Sequence, residues 1–133
     1  MTRFVLVRDG QTEWNRVECF RGRADMPLNE TGLVQAEATG QHVAAEWAPI
    51  AVYSSQLSHT VKTAEAIARY FNLPGQAYPD LVDIDYGGWQ SLTPEEARRR
   101  DPEPMDNWCN QPEQARIPGG ETLADQRARP CKP

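Results

Sequence analysis

The residues best suited to chemistry lie close to the start of the chain, in Arg8-Asp9-Gly10-Gln11-Thr12-Glu13-Trp14-Asn15. An arginine, a carboxylate, a backbone-permissive glycine and a run of hydrogen-bonding side chains could together line an anion pocket. They follow the apolar run Phe4-Val5-Leu6-Val7, which reads as a buried strand ending at a functional edge. The same residues also fit a tight strand-to-helix turn with a solvated Arg8, and the local sequence leaves both readings open. The thiols offer less. Cys19, Cys109 and Cys131 are odd in number and show no CxxC spacing, so neither a disulfide framework nor a zinc site is indicated.

The elements that would position this turn can be read from periodicity and punctuation. Arg16 to Pro27, broken by Gly22, reads as a surface loop beside the turn. Asn29 is a helix N-cap, and Leu33, Ala36, Gly40, Val43, Ala44 and Trp47 keep helical spacing after it. His42 falls inside this helix and reads as a partly exposed helix residue. Pro49 ends the helix, Ile50-Ala51-Val52-Tyr53 suits a second strand, and Leu57, Val61, Ala64, Ile67, Ala68 and Phe71 mark a second amphipathic helix. Strand and helix thus alternate, which predicts a parallel α/β sheet with ligands beyond the carboxyl ends of its strands. From Tyr78 to Ser91 the pattern suggests loop. Thr93, Pro94 and Glu96 form a capping box that starts a short helix. Asp101 to Pro118, with four prolines, reads as an excursion or flexible insertion, and Glu121 to Arg129 as a helix stopped by Pro130.

At 133 residues the chain has the length of one domain, 1–133, and 39% hydrophobic residues suffice for a core. A net charge of −5 argues against nucleic-acid and membrane-surface partners, which call for a basic face, so any anion site must be local. The lack of an apolar run of about 18 residues, and of a signal-peptide core, predicts a cytoplasmic protein.

Several motifs, taken in order, resemble the histidine phosphatase superfamily in its metal-independent, phosphoglycerate mutase-like branch. They are Leu6-Val7-Arg8-x-Gly10-Gln11-Thr12-Glu13-Trp14-Asn15, Phe20-x-Gly22, Pro27-Leu28-x-x-x-Gly32, Tyr53-Ser54-Ser55-x-Leu57-Ser58 with Thr63-Ala64-Glu65-Ala66, Tyr86-Gly87-x-Trp89, and Pro118-Gly119-Gly120-Glu121. The resemblance covers almost the whole chain. It implies a three-layer α/β/α fold with a mostly parallel sheet, no cofactor, and phosphate or a phosphomonoester as the small-molecule partner. In such proteins a histidine attacks the phosphoryl group while arginines, an asparagine and a second histidine hold its oxygens.

On the same resemblance the chain departs from the pattern. Asp9 stands where the nucleophilic histidine belongs, and a carboxylate about 4 Å from a phosphate is repelled by roughly 4 kcal/mol at an effective dielectric of about 20. His59 stands where a phosphate-binding arginine is expected, without its always-charged fork. Asp83 takes the acid position, one methylene shorter than glutamate. The second histidine, expected on a later strand, has no counterpart, and Arg127-Ala128-Arg129 runs into Pro130-Cys131-Lys132-Pro133 as a frameshift or premature stop would produce. Arg8, Asn15 and Arg21 match phosphate-contacting or pocket-lining positions.

These departures imply a truncated domain lacking its C-terminal strand and helices, with phosphatase or mutase turnover lost or severely impaired and phosphate bound weakly at best. One alternative is a repurposed metal site for Mn, Fe or Zn built from Asp9, His59 and Asp83. Another is residual phosphatase activity through an aspartyl-phosphate on Asp9. The resemblance puts the missing strand beside the first one, so self-association through an exposed sheet edge is also expected.

Overall fold

The structure, a computed structural model, describes residues 1–130. The expectations for Cys131-Lys132-Pro133 lie outside the described residues.

After an extended N-terminal segment and a 3-10 turn at Glu13–Arg16, helix α1 spans Glu30–Glu46. Asn29 caps it, its side-chain oxygen accepting the Gly32 N–H at 2.8 Å. Strand β1 (Val52–Ser54), helix α2 (Ser58–Ala68) and strand β2 (Gly75–Ala77) follow. The two strands pair in parallel, Val52 with Gly75, Tyr53 with Gln76 and Ser54 with Ala77, with α2 as the crossover between them. Too short to show alternation, β2 escapes a reading based on periodicity.

Helices α1 and α2 pack against each other at close range. A Cβ at Gly40 would stand 2.5 Å from the Ala66 carbonyl oxygen, so glycine sets how near the two backbones come. Ala36, Val43, Leu57, Ala64, Ile67 and Ala68 are buried in this part of the molecule, burying mostly small side chains. Leu33, expected on the inner face, is 53% exposed, so the buried stripe runs through Gly32 and Ala36 instead.

A second core gathers Ile84, Trp89, Ala97, Met105 and Ile117, with Phe20, Tyr86 and Trp108 packed on it in tilted and edge-on ring contacts. Helices α3 (Pro94–Arg100), α4 (Pro102–Asn110) and α5 (Leu123–Ala128) form the rest of this half. The Thr93 and Glu96 capping box forms as expected, and Thr122 makes a matching one with Asp125. Two loops meet at Gly87, whose φ is +45° and whose Cβ would collide with Gly119 and Gly120. There Gly88 N–H donates to the Pro118 carbonyl at 2.8 Å and Glu121 N–H to that of Asp85 at 2.8 Å. Arg129, only 12% exposed in its side chain, ties α5 to this loop by donating to Glu121 and to the carbonyls of Asp80 and Asp83.

Two expectations are corrected. Asp101 to Pro118 is not a flexible excursion: residues 102–110 form α4, with Pro102 and Pro104 in the first turn, where helix N–H groups need no partner, and Met105 is buried. And Phe4 to Val7 is not a buried strand. Among the described residues no backbone hydrogen bond reaches residues 1–9, and Phe4 and Leu6 are 83% and 95% exposed. The apolar run records a preference for extended backbone, whereas strand formation also needs a neighbour to pair with, and neither β1 nor β2 takes that place.

Candidate functional site

The site forms where the end of the N-terminal segment meets the first turn of α2. The turn at Gly10 is seated tightly: a Cβ there would run into the Gly32 carbonyl and stand 2.9 Å from Leu28 Cδ2. Its N–H donates to the Thr63 hydroxyl at 3.1 Å, and that hydroxyl donates to the His59 carbonyl at 2.8 Å within α2. The turn is thereby fixed to the helix that carries His59. Below the helix start, the Asp25 carboxylate accepts the Ser58 N–H at 2.7 Å.

Asp9 and His59 then meet. Oδ2 of Asp9 lies 3.2 Å from Nε2 of His59, and Oδ1 lies 3.3 Å from Nε of Arg8. His59 Nδ1 lies 3.0 Å from the Met26 carbonyl oxygen. Carbonyls and carboxylates only accept, so an imidazole that satisfies both neighbours carries two protons and a positive charge. The electrostatics agree. The hydrogen bond to Asp9 raises the His59 pKa above its ordinary 6.5 against the opposing pull of burial, helped by the Met26 carbonyl and the nearby Asp25. The same hydrogen bond, aided by Arg8, holds the Asp9 carboxyl below its ordinary 3.8 although burial works the other way.

Of the other expected site residues, Asn15 and Asp83 are engaged locally. The Asn15 side-chain oxygen accepts from the N–H and hydroxyl of Thr12, closing the turn that follows Gly10. Asp83 Oδ1 accepts its neighbour Ile84 N–H at 2.7 Å. Arg21 has a buried Nε with no hydrogen-bond partner among the described residues. No hydrogen bond or ion pair joins Asn15, Arg21 or Asp83 to the Asp9 and His59 pair among the described residues. The three-ligand metal site is therefore corrected as well. Among the described residues no group of three His, Cys, Asp or Glu is arranged to hold an ion, and one Asp83 carboxylate oxygen accepts from the adjacent Ile84 N–H. Asp25 and the Met26 carbonyl were missed as supports of the site, since nothing in their local sequence marks a contact made across 33 positions, and Thr63 stood in a motif without an assigned role.

An α/β unit with a parallel strand pair, carrying charged groups at the N-terminus of the crossover helix, matches one known family throughout. The family model for the histidine phosphatase superfamily (branch 1) covers residues 4–131, and the chain belongs to that superfamily. It is 35% identical over 124 residues to phosphoserine phosphatase 1 of Hydrogenobacter thermophilus, covering 93% of this chain and 58% of that protein. It is 36% identical over 129 residues to the metal-independent phosphoserine phosphatase of Arabidopsis thaliana, covering 96% of this chain and 54% of the relative. The solved structure of a mycobacterial glucosyl-3-phosphoglycerate phosphatase in complex with VO3 superposes with a TM-score of 0.80 at 29% identity, over 91% of this chain and 59% of that one. The fold is thus phosphoglycerate mutase-like, and the chain spans a little over half the length of these relatives. Among the described residues no helix is long and apolar enough to cross a membrane.

Proposed function

We propose that this chain is a phosphate-ester-binding member of the superfamily whose hydrolytic or mutase turnover is severely impaired. Asp9 stands at the nucleophile position and Asp83 at the acid position, while Arg8, Asn15, Arg21 and His59 are the phosphate-contacting set. The observation that carries this reading is the occupation of both Asp9 carboxylate oxygens by the cations of the site, Arg8 and His59. The names of the relatives, several of them phosphatases, support phosphate esters as the ligand class.

The chemistry follows from charge. Phosphoryl transfer needs a nucleophile that can approach a dianionic ester in line, cations on the equatorial oxygens and a proton for the leaving alkoxide. A neutral imidazole approaches without repulsion. Asp9 is held ionised, so it repels the incoming ester and at the same time neutralises the cations that should bind it. Asp83 is one methylene shorter than glutamate, and one of its carboxylate oxygens already accepts from the Ile84 N–H.

The test is hydrolysis of p-nitrophenyl phosphate by the chain and by Asp9→His. The reading expects no turnover above background from the unaltered chain. Sustained turnover by it, lost in Asp9→Ala, would instead establish an active enzyme that uses the aspartate.

A further inference from the structure

Thr63 lies one helical turn beyond His59 on α2, is 4% exposed, and makes two hydrogen bonds through one hydroxyl. A hydroxyl has one proton to give and lone pairs with which to receive. The proton goes to the His59 carbonyl at 2.8 Å, which leaves a lone pair for the Gly10 N–H at 3.1 Å. Donation to a carbonyl four residues earlier is routine for a threonine inside a helix. Acceptance from a backbone group 53 positions away is not, and the donor is the residue that directly follows Asp9.

The next peptide of the same turn is held by α1. The Gln11 N–H donates to the Gln35 side-chain oxygen at 2.9 Å, and the Asn29 N–H donates to the Gln11 carbonyl at 3.0 Å. Successive N–H groups of the turn are thus divided between α2 and α1. Toward α1 the turn has little room to move, since a Cβ at Gly10 would already collide with the Gly32 carbonyl. The hold of α2 on the backbone at Gly10 then sets how near Asp9 comes to His59.

We propose that Thr63 is a positioning residue, whose hydroxyl holds the turn at the distance from α2 at which Asp9 and His59 pair. This rests on the reading of Asp9 and His59 as residues of the phosphate site and adds the group that brings them together. Without the hydroxyl, the buried Gly10 N–H loses its acceptor and must turn toward water to replace it, and Asp9 moves with it. The charged groups facing His59 are Asp9 from the turn and Asp25 from the loop before α1, with Arg8 on the far side of Asp9. All three remain in a Thr63 variant, so a change in His59 reports distance and not lost charge.

Titration of the histidines by proton NMR, without phosphate, tests this. His59→Gln assigns the His59 signal, and the exposed His42 serves as internal reference. The bond to Asp9 raises the His59 midpoint above the ordinary 6.5. Thr63→Val, which replaces the hydroxyl with a methyl, should lower that midpoint toward 6.5. Thr63→Ser, which keeps the hydroxyl, should leave it as in the unaltered chain, and His42 should stay fixed in both. If valine prevents folding at this buried position, Thr63→Ala beside Thr63→Ser gives the same comparison. An unchanged His59 midpoint without the hydroxyl, an equal fall in Thr63→Ser, or a parallel shift of His42 would overturn the proposal. Such a result leaves the phosphate-site reading standing, because no phosphate takes part, and turnover of p-nitrophenyl phosphate by the unaltered chain would leave the role of Thr63 standing.

Discussion

Asp9 Oδ2 lies 3.2 Å from Nε2 of His59, and this contact joins the turn after the N-terminal segment to the first turn of α2. The side chains are only partly exposed, at 24% and 15%, so bulk water screens the pair less than it would on an open surface. His59 also reaches the Met26 carbonyl, so one protonated imidazole clasps three separate stretches of chain.

Stability should therefore depend on pH in a defined direction. The raised His59 pKa means that its contribution is fully present below 6.5 and is lost as pH rises through the folded-state value above it. The lowered Asp9 pKa means that its contribution is present above 3.8 and is lost as pH falls through the folded-state value below it. The pair is strongest between these limits. Thermal unfolding followed from pH 6 to pH 9 should show a falling midpoint, and His59→Gln should remove that part of the slope. An unchanged slope in the variant would assign it to other groups.

Asp9→Asn should improve binding of inorganic phosphate. Repulsion of about 4 kcal/mol at roughly 4 Å and an effective dielectric of about 20 sets a ceiling near a thousandfold. Arg8 is well exposed and screened, so a gain of roughly ten- to a hundredfold is expected. Titration calorimetry of both proteins at pH 6 measures this, and a second titration at pH 5 allows for the loss of Asp9, the main cause that raises the His59 pKa. Equal or weaker binding by Asp9→Asn would mean that Asp9 does not govern anion access.

Trp89 has no exposed surface, and its indole N–H donates to Asp101 at 2.9 Å. Trp89→Ala should cost about 3–5 kcal/mol, the usual range for truncating a large buried aromatic. That is a large part of the roughly 5–15 kcal/mol that holds a typical domain together. Trp89→Phe keeps most of the volume and removes only the indole donor to Asp101, whose Oδ2 also lies 3.6 Å from Nε of Arg100, and should cost less. Urea unfolding monitored by far-UV circular dichroism ranks the two, and a reversed order would place the weight of this core on the hydrogen bond.

Gly40→Ala sets two effects against each other. Helix propensity favours alanine by about 1 kcal/mol. The added methyl would stand 2.5 Å from the Ala66 carbonyl oxygen, which is backbone and can yield only by separating α1 from α2. Overpacking of this kind costs typically about 1–3 kcal/mol, so the net change should be destabilising. A stabilised variant would show that the helices part easily.

Much of this molecule is legible one segment at a time. Asn29 caps α1, and Thr93 with Glu96 starts α3, because capping is decided within three or four residues of chain. The spacing of Ala64, Ile67 and Ala68 marks the inner face of α2, since helical periodicity is local too. Asp9 and His59 stand out in the sequence because their positions fall within ordered motifs, and in the structure the two side chains touch.

Other features depend on neighbours that no local pattern encodes. Phe4 to Val7 have the composition of a strand, but a strand is made by the backbone beside it, and among the described residues none pairs with this exposed segment. Pro102 and Pro104 look like breakers until the turn at Asp101 places them at the start of α4, where a missing N–H is harmless. Asp83 carries the right group for a shared site, yet its carboxylate accepts from the adjacent Ile84 N–H. The sequence by itself determined the capped helices, the motifs and the charge carried at position 9. Only the tertiary structure decided that this charge, beside its neighbour Arg8, is also balanced by His59, because the pairing, burial and ionisation of Asp9 and His59 are set by a distance between residues far apart along the chain.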